Sequence, residues 1–337
     1  MRPITLLIVY LITSLMAGLL ITVHASAAVR DLPADAERLY NGGLYRQAVE
    51  VLNASIQRSP GESSLHYWLG RCLYELRDYN RAISSFEHAV IIEPDLSEYH
   101  DWLGKAYGRK AEETNRFSAF SSISLAHKAH REFEAAVRLD AHNLEAQRDL
   151  IRYLVNAPAI VGGSQGAAEQ RVHTLAAVDS TEGALAQAEV YASHKKFDDA
   201  SQVYQTILDM MPSRVGVYFE IAEYYRDRGD APNMSEAVEK AAALAPSDHR
   251  LEYYRGIALI LAGHSDSDAE KDLRHYLDTV PDNANVPSHS TAHEWLGKLY
   301  QRQGQLDRAA EEYQAALIAD PRNRQAIDAL KALQRRR

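Results

Sequence analysis

The sequence predicts an all-α repeat array, and three observations carry that prediction. Two distant segments, Leu65 to Asp95 and Ala292 to Pro321, pass through the same residue types at the same intervals. Within each, leucines and aromatics recur at the three- and four-residue spacing of one helix face. Each segment meets a proline, Pro94 or Pro321, which cannot continue a helix. Composition agrees with a folded chain: 17 glycines and 11 prolines among 337 residues exclude a low-complexity or collagen-like sequence. The 46 acidic residues outnumber the 37 Lys plus Arg, and a formal charge of -9 argues against a general nucleic-acid binder. With Cys72 as its single cysteine, the sequence holds no internal disulfide framework and no cysteine-cluster zinc site. Cys72 is expected to be buried as a small apolar side chain.

The elements follow in chain order. Residues 1–28 read as an address rather than fold: Arg2 is the one early charge, and Ile4 to Val23 are mostly apolar. Ala25-Ser26-Ala27 then fits the small-x-small pattern of signal-peptide cleavage, with a mature chain from near Ala28. The alternative is an uncleaved anchor in the inner membrane through residues 4–23. Either way the chain is expected to work outside the cytoplasm, in the periplasm on the first reading.

The repeat frame begins after this segment. In one segment it runs Gly70, Leu73, Ala82, Phe86, Ala89, Pro94; in the other, Gly297, Tyr300, Ala309, Tyr313, Ala316, Pro321. This pattern resembles the tetratricopeptide repeat, a 34-residue helix-turn-helix unit, and extends over nearly everything beyond the first segment. The resemblance implies a right-handed superhelical α-solenoid of about eight units. Units begin near residues 29, 63, 97, 144, 181, 215, 249 and 290, so the array spans 29–323, and residues 324–337 form a capping helix. Gly70 and Ala82 are small because they face the sister helix, where axes approach to about 8–10 Å.

Two places break the frame. In unit three, Tyr107 and Ala129 stand 22 residues apart where the pattern wants nine, a 13-residue insertion containing Arg109, Phe117, Phe120 and Ile123. In unit four, Asn156 to Gly166 replaces a tight turn with a run containing Pro158, Gly162 and Gly163. Insertions of this kind collect on one edge of a solenoid and are often used for binding, so the two are expected to meet. The plainer expectation is that Phe117 and Phe120 lengthen and pack the second helix of unit three.

Motifs of catalysis and metal binding fail. Gly162-Gly163-Ser164-Gln165-Gly166 matches the G-x-S-x-G nucleophile elbow, but helical flanks deny it the required core strand. The same glycines offer a weaker anion cradle at the helix that follows. His289/His293 and His127/His130 have helical spacing without a clear third ligand, and the acidic turn His264 to Glu270 lacks the glycine of a calcium loop. No metal, cofactor or catalytic residue is expected.

The family resemblance further implies that the first helix of each unit lines a groove. Its central row then reads Glu37, Arg71, Lys105, Arg152, Glu189, Glu223, Ile257 and Lys298, basic in units two to four and acidic in units five and six. Trp68, Trp102 and Trp295 each precede a cation of this row by three residues, which places ring and charge on one face. The rings either pack against the neighbouring unit or grip an extended partner. The partner-binding residues expected on this reading are Trp68, Arg71, Trp102, Lys105, Arg109, Arg148 and Arg152. The function expected is a non-catalytic protein-interaction scaffold in an envelope complex, without nucleic acid and touching membrane only through an uncleaved N-terminal segment. The alternative is an accessory or enzymatic subunit with a small-ligand site at Phe117, Phe120, Gly162 and Gly163.

Overall fold

The computed structural model describes residues 34–114 and 118–335; the signal segment of the sequence analysis and Phe117 lie outside them. Among the described residues there are seventeen α-helices and no strand. They fall into two compact units, one holding Leu44–Ser164 and the other Gln165–Arg337, with the helix Ala34–Asn41 (α1) divided between them.

The first unit continues with Tyr45–Arg58 (α2), then the hairpins Ser63–Glu75 with Tyr79–Ile92 (α3, α4) and Ser97–Thr114 with Ala119–Leu139 (α5, α6). Leu144–Asn156 (α7) and a short 3-10 turn, Ala159–Val161, close it. Local chemistry sets these boundaries. Asp78, Ser118 and Asn143 cap α4, α6 and α7 by accepting a backbone N–H of the first turn through their side chains. Pro94 follows the end of α4 by two residues and enforces the break.

The repeat seam is a small-residue contact. A Cβ added at Gly70 would lie 2.6 Å from the Phe86 ring, and one at Gly104 would lie 2.8 Å from the Phe133 ring. The glycine thus lets the ring of the second helix lie directly on the first helix, and Phe86 is wholly buried there. The seam survives the insertion, which lengthens both helices of the third hairpin: α5 has 18 residues and α6 has 21, against 13 and 14 in α3 and α4.

The second unit contains Gln165–Val178 (α8), then Ser180–Ser193 with Phe197–Met210 (α9, α10) and Val215–Arg228 with Ala231–Leu244 (α11, α12). Arg250–Ala262 with Asp266–Thr279 (α13, α14), His289–Arg302 with Leu306–Ala319 (α15, α16) and the last helix Arg324–Gln334 (α17) complete it. The same seam recurs: a Cβ at Gly297 would lie 2.6 Å from the Tyr313 ring, and one at Gly256 would lie 2.8 Å from Leu273. Helix α8 packs on α9, where Gly183 sits so close to Ala176 that a Cβ would approach its Cα to 2.4 Å. The sequence segment expected as unit four is therefore shared: α7 belongs to the first compact unit and α8 to the second.

One polar relay occurs in both units. Asn143 caps α7 by accepting from the Ala146 N–H, and its amide donates at 2.9 Å to the Ser97 hydroxyl, which donates to the Ala136 carbonyl. Asn323 does the same on α17, with Ala326, Ser290 and Ala316. The Asn–Ser separation is 46 residues in the first case and 33 in the second, and the difference equals the 13-residue insertion. Buried tyrosines supply much of the remaining core, and their hydroxyls find partners: Tyr99 reaches Ser63 and Tyr254 donates to Glu223.

Candidate functional site

In the first unit, α3 and α5 set Trp68, Arg71, Trp102 and Lys105 in one ladder. The Arg71 guanidinium lies 4.8 Å from the centre of the Trp68 ring and 4.2 Å from that of Trp102. The Lys105 ammonium then lies 4.5 Å from the Trp102 ring. Arg71 is thus held between an indole of its own helix and one of α5, and also donates to the Tyr67 hydroxyl at 3.2 Å. Both tryptophans are half-buried, and Trp102 meets the edge of Tyr74 and tilts against Phe86. Each ring therefore packs and holds a cation.

Lys105 is not an open cation. Its ammonium pairs with Asp101 at 2.8 Å, Asp149 at 3.0 Å and Glu145, and its side chain is only 16% exposed. Burial alone would push the ammonium below its ordinary pKa; the three carboxylates outweigh that and hold it above. Asp101 is buried, and its Oδ1 has no hydrogen-bond partner among the described residues. Burial pushes its carboxyl up to about 7 against the pull of Lys105. Asp101, Glu145 and Asp149 present oxygens within 4.8 Å of one another, the spacing of a cation site, and the lysine supplies the positive charge there.

The remaining candidates separate. Arg148 is buried on α7. Arg109 and Arg152 keep side chains 50% and 45% exposed and pair within their own helices to Glu112 at 2.9 Å and Asp149 at 3.0 Å, and Arg109 also hydrogen-bonds the Tyr79 side chain of α4. Ile257, expected to line the groove, is fully buried in the second unit's core, where its β-branched apolar side chain belongs. Lys298 repeats the Trp–cation motif over Trp295 at 4.0 Å and pairs with Glu294 at 2.6 Å. Cys72 is buried, and burial pushes its thiol up to about 12.

The two departures from the repeat meet at a cavity of about 630 Å³ in the first unit. The extended parts of α5 and α6 form two walls, with Arg109 and Glu112 on one and Ile123 and Ala126 on the other. Helix α7 contributes Asp149, Arg152 and Tyr153, and the following turn contributes Pro158, Ile160 and Val161. The Tyr153 hydroxyl lies 2.8 Å from the Ala126 carbonyl and 2.7 Å from the Val161 carbonyl, so it ties the turn to α6. Its ring stacks on His130 at 5.0 Å.

Gly162 and Gly163 serve this turn and do not line the cavity. Gly162 has φ +97°, and a Cβ there would fall 2.3 Å from His130 Nδ1. At Gly163 a Cβ would fall 1.8 Å from the Ala157 carbonyl oxygen. The N–H groups of Gly162, Gly163 and Ser164 donate to the carbonyls of Ala159, Pro158 and Leu154, which removes them from any anion cradle. The segment before Ser164 is a 3-10 turn rather than a strand, so the nucleophile elbow has no scaffold.

Phe120 does not pack the lengthened helix: it is 84% exposed and borders a smaller hollow of about 340 Å³ with Ile123, His127 and Lys128. His289 and His293 also diverge. His289 bonds the Val280 carbonyl at 2.7 Å, whereas His293 bonds Glu312 at 2.8 Å.

Two family models, both described as tetratricopeptide repeat, match residues 34–97 and 290–323. These spans contain the Gly70–Phe86 and Gly297–Tyr313 seams. The chain is a tetratricopeptide-repeat protein. No curated protein matches it significantly. Among solved structures, this tetratricopeptide-repeat chain is similar to a tetratricopeptide repeat protein from Parabacteroides merdae, at 14% identity, covering 91% of this chain and 99% of that one, with a TM-score of 0.46. A thermophilic TPR protein of Thermus thermophilus is 18% identical, covering 70% of this chain and 99% of its own, with a TM-score of 0.44. Human IFIT1, in a dimer with m7Gppp-AAAA, is 17% identical over 86% of this chain and 69% of its own, with a TM-score of 0.52. That likeness shows a common fold. No catalytic family is among the matches.

Proposed function

We propose that this chain is a non-catalytic interaction scaffold of the cell envelope that docks a partner protein on the first unit, across α3, α5 and α7. The tetratricopeptide-repeat fold is consistent with a protein-interaction scaffold. The observation that carries the site is the contrast among its cations: Arg71 and Lys105 are enclosed by rings and carboxylates, while Arg109 and Arg152 stand half-exposed beside them. The ladder fixes a rigid floor, and the two arginines offer their guanidiniums to acidic or amide groups of a partner. The envelope assignment is supported by the apolar run at residues 4–23 and by Ala25-Ser26-Ala27. Among the described residues no helix is long and apolar enough to cross a membrane.

Affinity capture from a native envelope tests this reading, with wild type beside an Arg109→Glu/Arg152→Glu variant. A stoichiometric protein retained by wild type and lost by the variant supports it. Equal recovery from both sinks the assigned surface. Sequencing the mature N-terminus tests the location: a chain starting near Ala28 agrees with cleavage, and one retaining residues 4–23 indicates an anchor.

A further inference from the structure

We propose that the cavity between α5, α6, α7 and the 157–163 turn is a ligand site for a small amphipathic organic anion, which shares Arg109 and Arg152 with the docking surface but adds the apolar interior beneath them. Its volume of about 630 Å³ falls within the range of small-molecule sites, roughly 300–1,000 Å³. Nothing in the repeat itself requires such a space, because the regular hairpins close on a glycine–ring seam. It arises where the lengthened α5–α6 hairpin meets α7 and the turn that follows it.

The lining sorts by exposure into a floor and a rim. Phe133, Val161 and Ala111 are buried and form an apolar base, and Ile123 and Ala126 continue it up one wall. Ile160 lies on the rim with 68% exposure. The turn is held rigidly by the Tyr153 hydroxyl and by the fit of Gly162 against His130, so the cavity is preformed.

The charged groups occupy the α5 and α7 walls. Three cations, Lys105, Arg109 and Arg152, and two carboxylates, Glu112 and Asp149, line it. Lys105 is committed to its three carboxylates, and Asp149 stays with it when Arg152 turns away. The Arg109–Glu112 pair is exposed on both sides, 50% and 69%, and such a pair holds weakly, while the neutral Tyr79 hydroxyl that Arg109 also meets leaves its charge uncompensated. Arg109 and Arg152, on facing helices, can therefore both turn to one anionic group, which takes over the role of their carboxylate partners. Tyr74, its hydroxyl kept protonated by burial, adds a neutral donor on the same side. The chemistry that fits is a carboxylate on an apolar body long enough to reach Phe133.

Monomeric dodecanoate is the probe, titrated calorimetrically into the full chain, with dodecanol and dodecylamine as uncharged and cationic counterparts. The expected result is one site that prefers dodecanoate. Arg109→Gln and Arg152→Gln should each weaken it about tenfold, the scale of a charge-assisted hydrogen bond. Ala126→Phe should block it by filling the cavity, and Ile160→Asp should weaken it through the rim alone, without touching the core. Melting curves of all four variants establish that they fold. Equal binding of dodecanol overturns the anionic assignment, and binding unchanged by both Ala126→Phe and Ile160→Asp places the ligand elsewhere. No binding of dodecanoate to wild type overturns the proposal while leaving partner capture by the arginine surface intact. Dodecanoate binding by a wild-type chain that captures no partner protein, or that captures it equally with the Arg109→Glu/Arg152→Glu variant, would instead sink the docking reading alone.

Discussion

Replacing Gly162 by alanine tests whether the glycine pair after α7 is structural. The φ of +97° is one that a residue with a Cβ adopts at a cost of about 1–2 kcal/mol. The new Cβ would also lie 2.3 Å from His130 Nδ1 and 2.7 Å from its Cε1, so the ring must move. Moving it disturbs the His130–Tyr153 stack, whose planes are only 11° apart, at a further cost of about 0.5–1.5 kcal/mol. The total, roughly 1.5–3.5 kcal/mol, corresponds to local opening about 10 to 300 times more frequent. Hydrogen exchange of peptides covering the C-terminal half of α6, α7 and the turn reads this directly. A repeat array need not unfold in one step, so a local readout is preferable to a single melting temperature. The double variant His130→Ala/Gly162→Ala should recover the steric part and retain the backbone part. Gly166, with nothing within 4 Å of an added Cβ, is the control: its change to alanine should leave the turn undisturbed. If the Gly162 and Gly166 variants exchange alike, the packing of this turn is not as described.

Further outcomes follow from the same structure. Gly70→Leu should cost about 1–3 kcal/mol by overpacking against Phe86, and Phe86→Ala in the same chain should relieve part of it; an unchanged melting curve for the single variant contradicts the seam. Asn323→Ala removes a cap and a link to Ser290, and should destabilise α17 by about 1 kcal/mol, seen as faster exchange confined to that helix. Asp101 sets a pH dependence. Its pKa rises from an ordinary 3.8 to about 7 on folding, so between those values the folded chain holds a proton that the unfolded chain has released. Its contribution must then fall as pH rises across that window, by up to about 1.4 kcal/mol per unit. Denaturation followed from pH 5 to pH 8 should show this fall in wild type and a shallower one in Asp101→Asn; a rise in wild-type stability traced to Asp101 would reverse the argument.

The repeat was legible because its signal is local in each unit: a glycine on one helix and a ring on the next, as in Gly70 with Phe86 and Gly297 with Tyr313. The insertion was equally legible as a count of residues between two frame positions, and its two ends do line one cavity with the turn after α7. What the linear pattern could not give was the state of each cation. Lys105 looked like a groove-lining charge, yet its partners Glu145 and Asp149 come from α7, 40 and 44 positions away, and only helix packing brings them together. Phe120 misled for a related reason. An apolar residue on a lengthened helix packs only where a neighbouring helix is long enough to cover it, and Phe120 has no such cover. Val161 and Ile160, not the adjacent glycines, face the cavity, a distinction set by the backbone path of the turn.

The central claim is that the first unit docks a protein partner beside Arg109 and Arg152, and site-specific photo-crosslinking in native cells tests it most directly. A photoreactive residue is placed at Glu112, exposed next to Arg109, and in a second chain at Ile318, an 85% exposed position of the second unit. The account predicts one discrete protein adduct from position 112, absent from position 318 and abolished by Arg109→Glu/Arg152→Glu. Adducts equal at both positions, or an adduct at 112 indifferent to the two arginines, would contradict it.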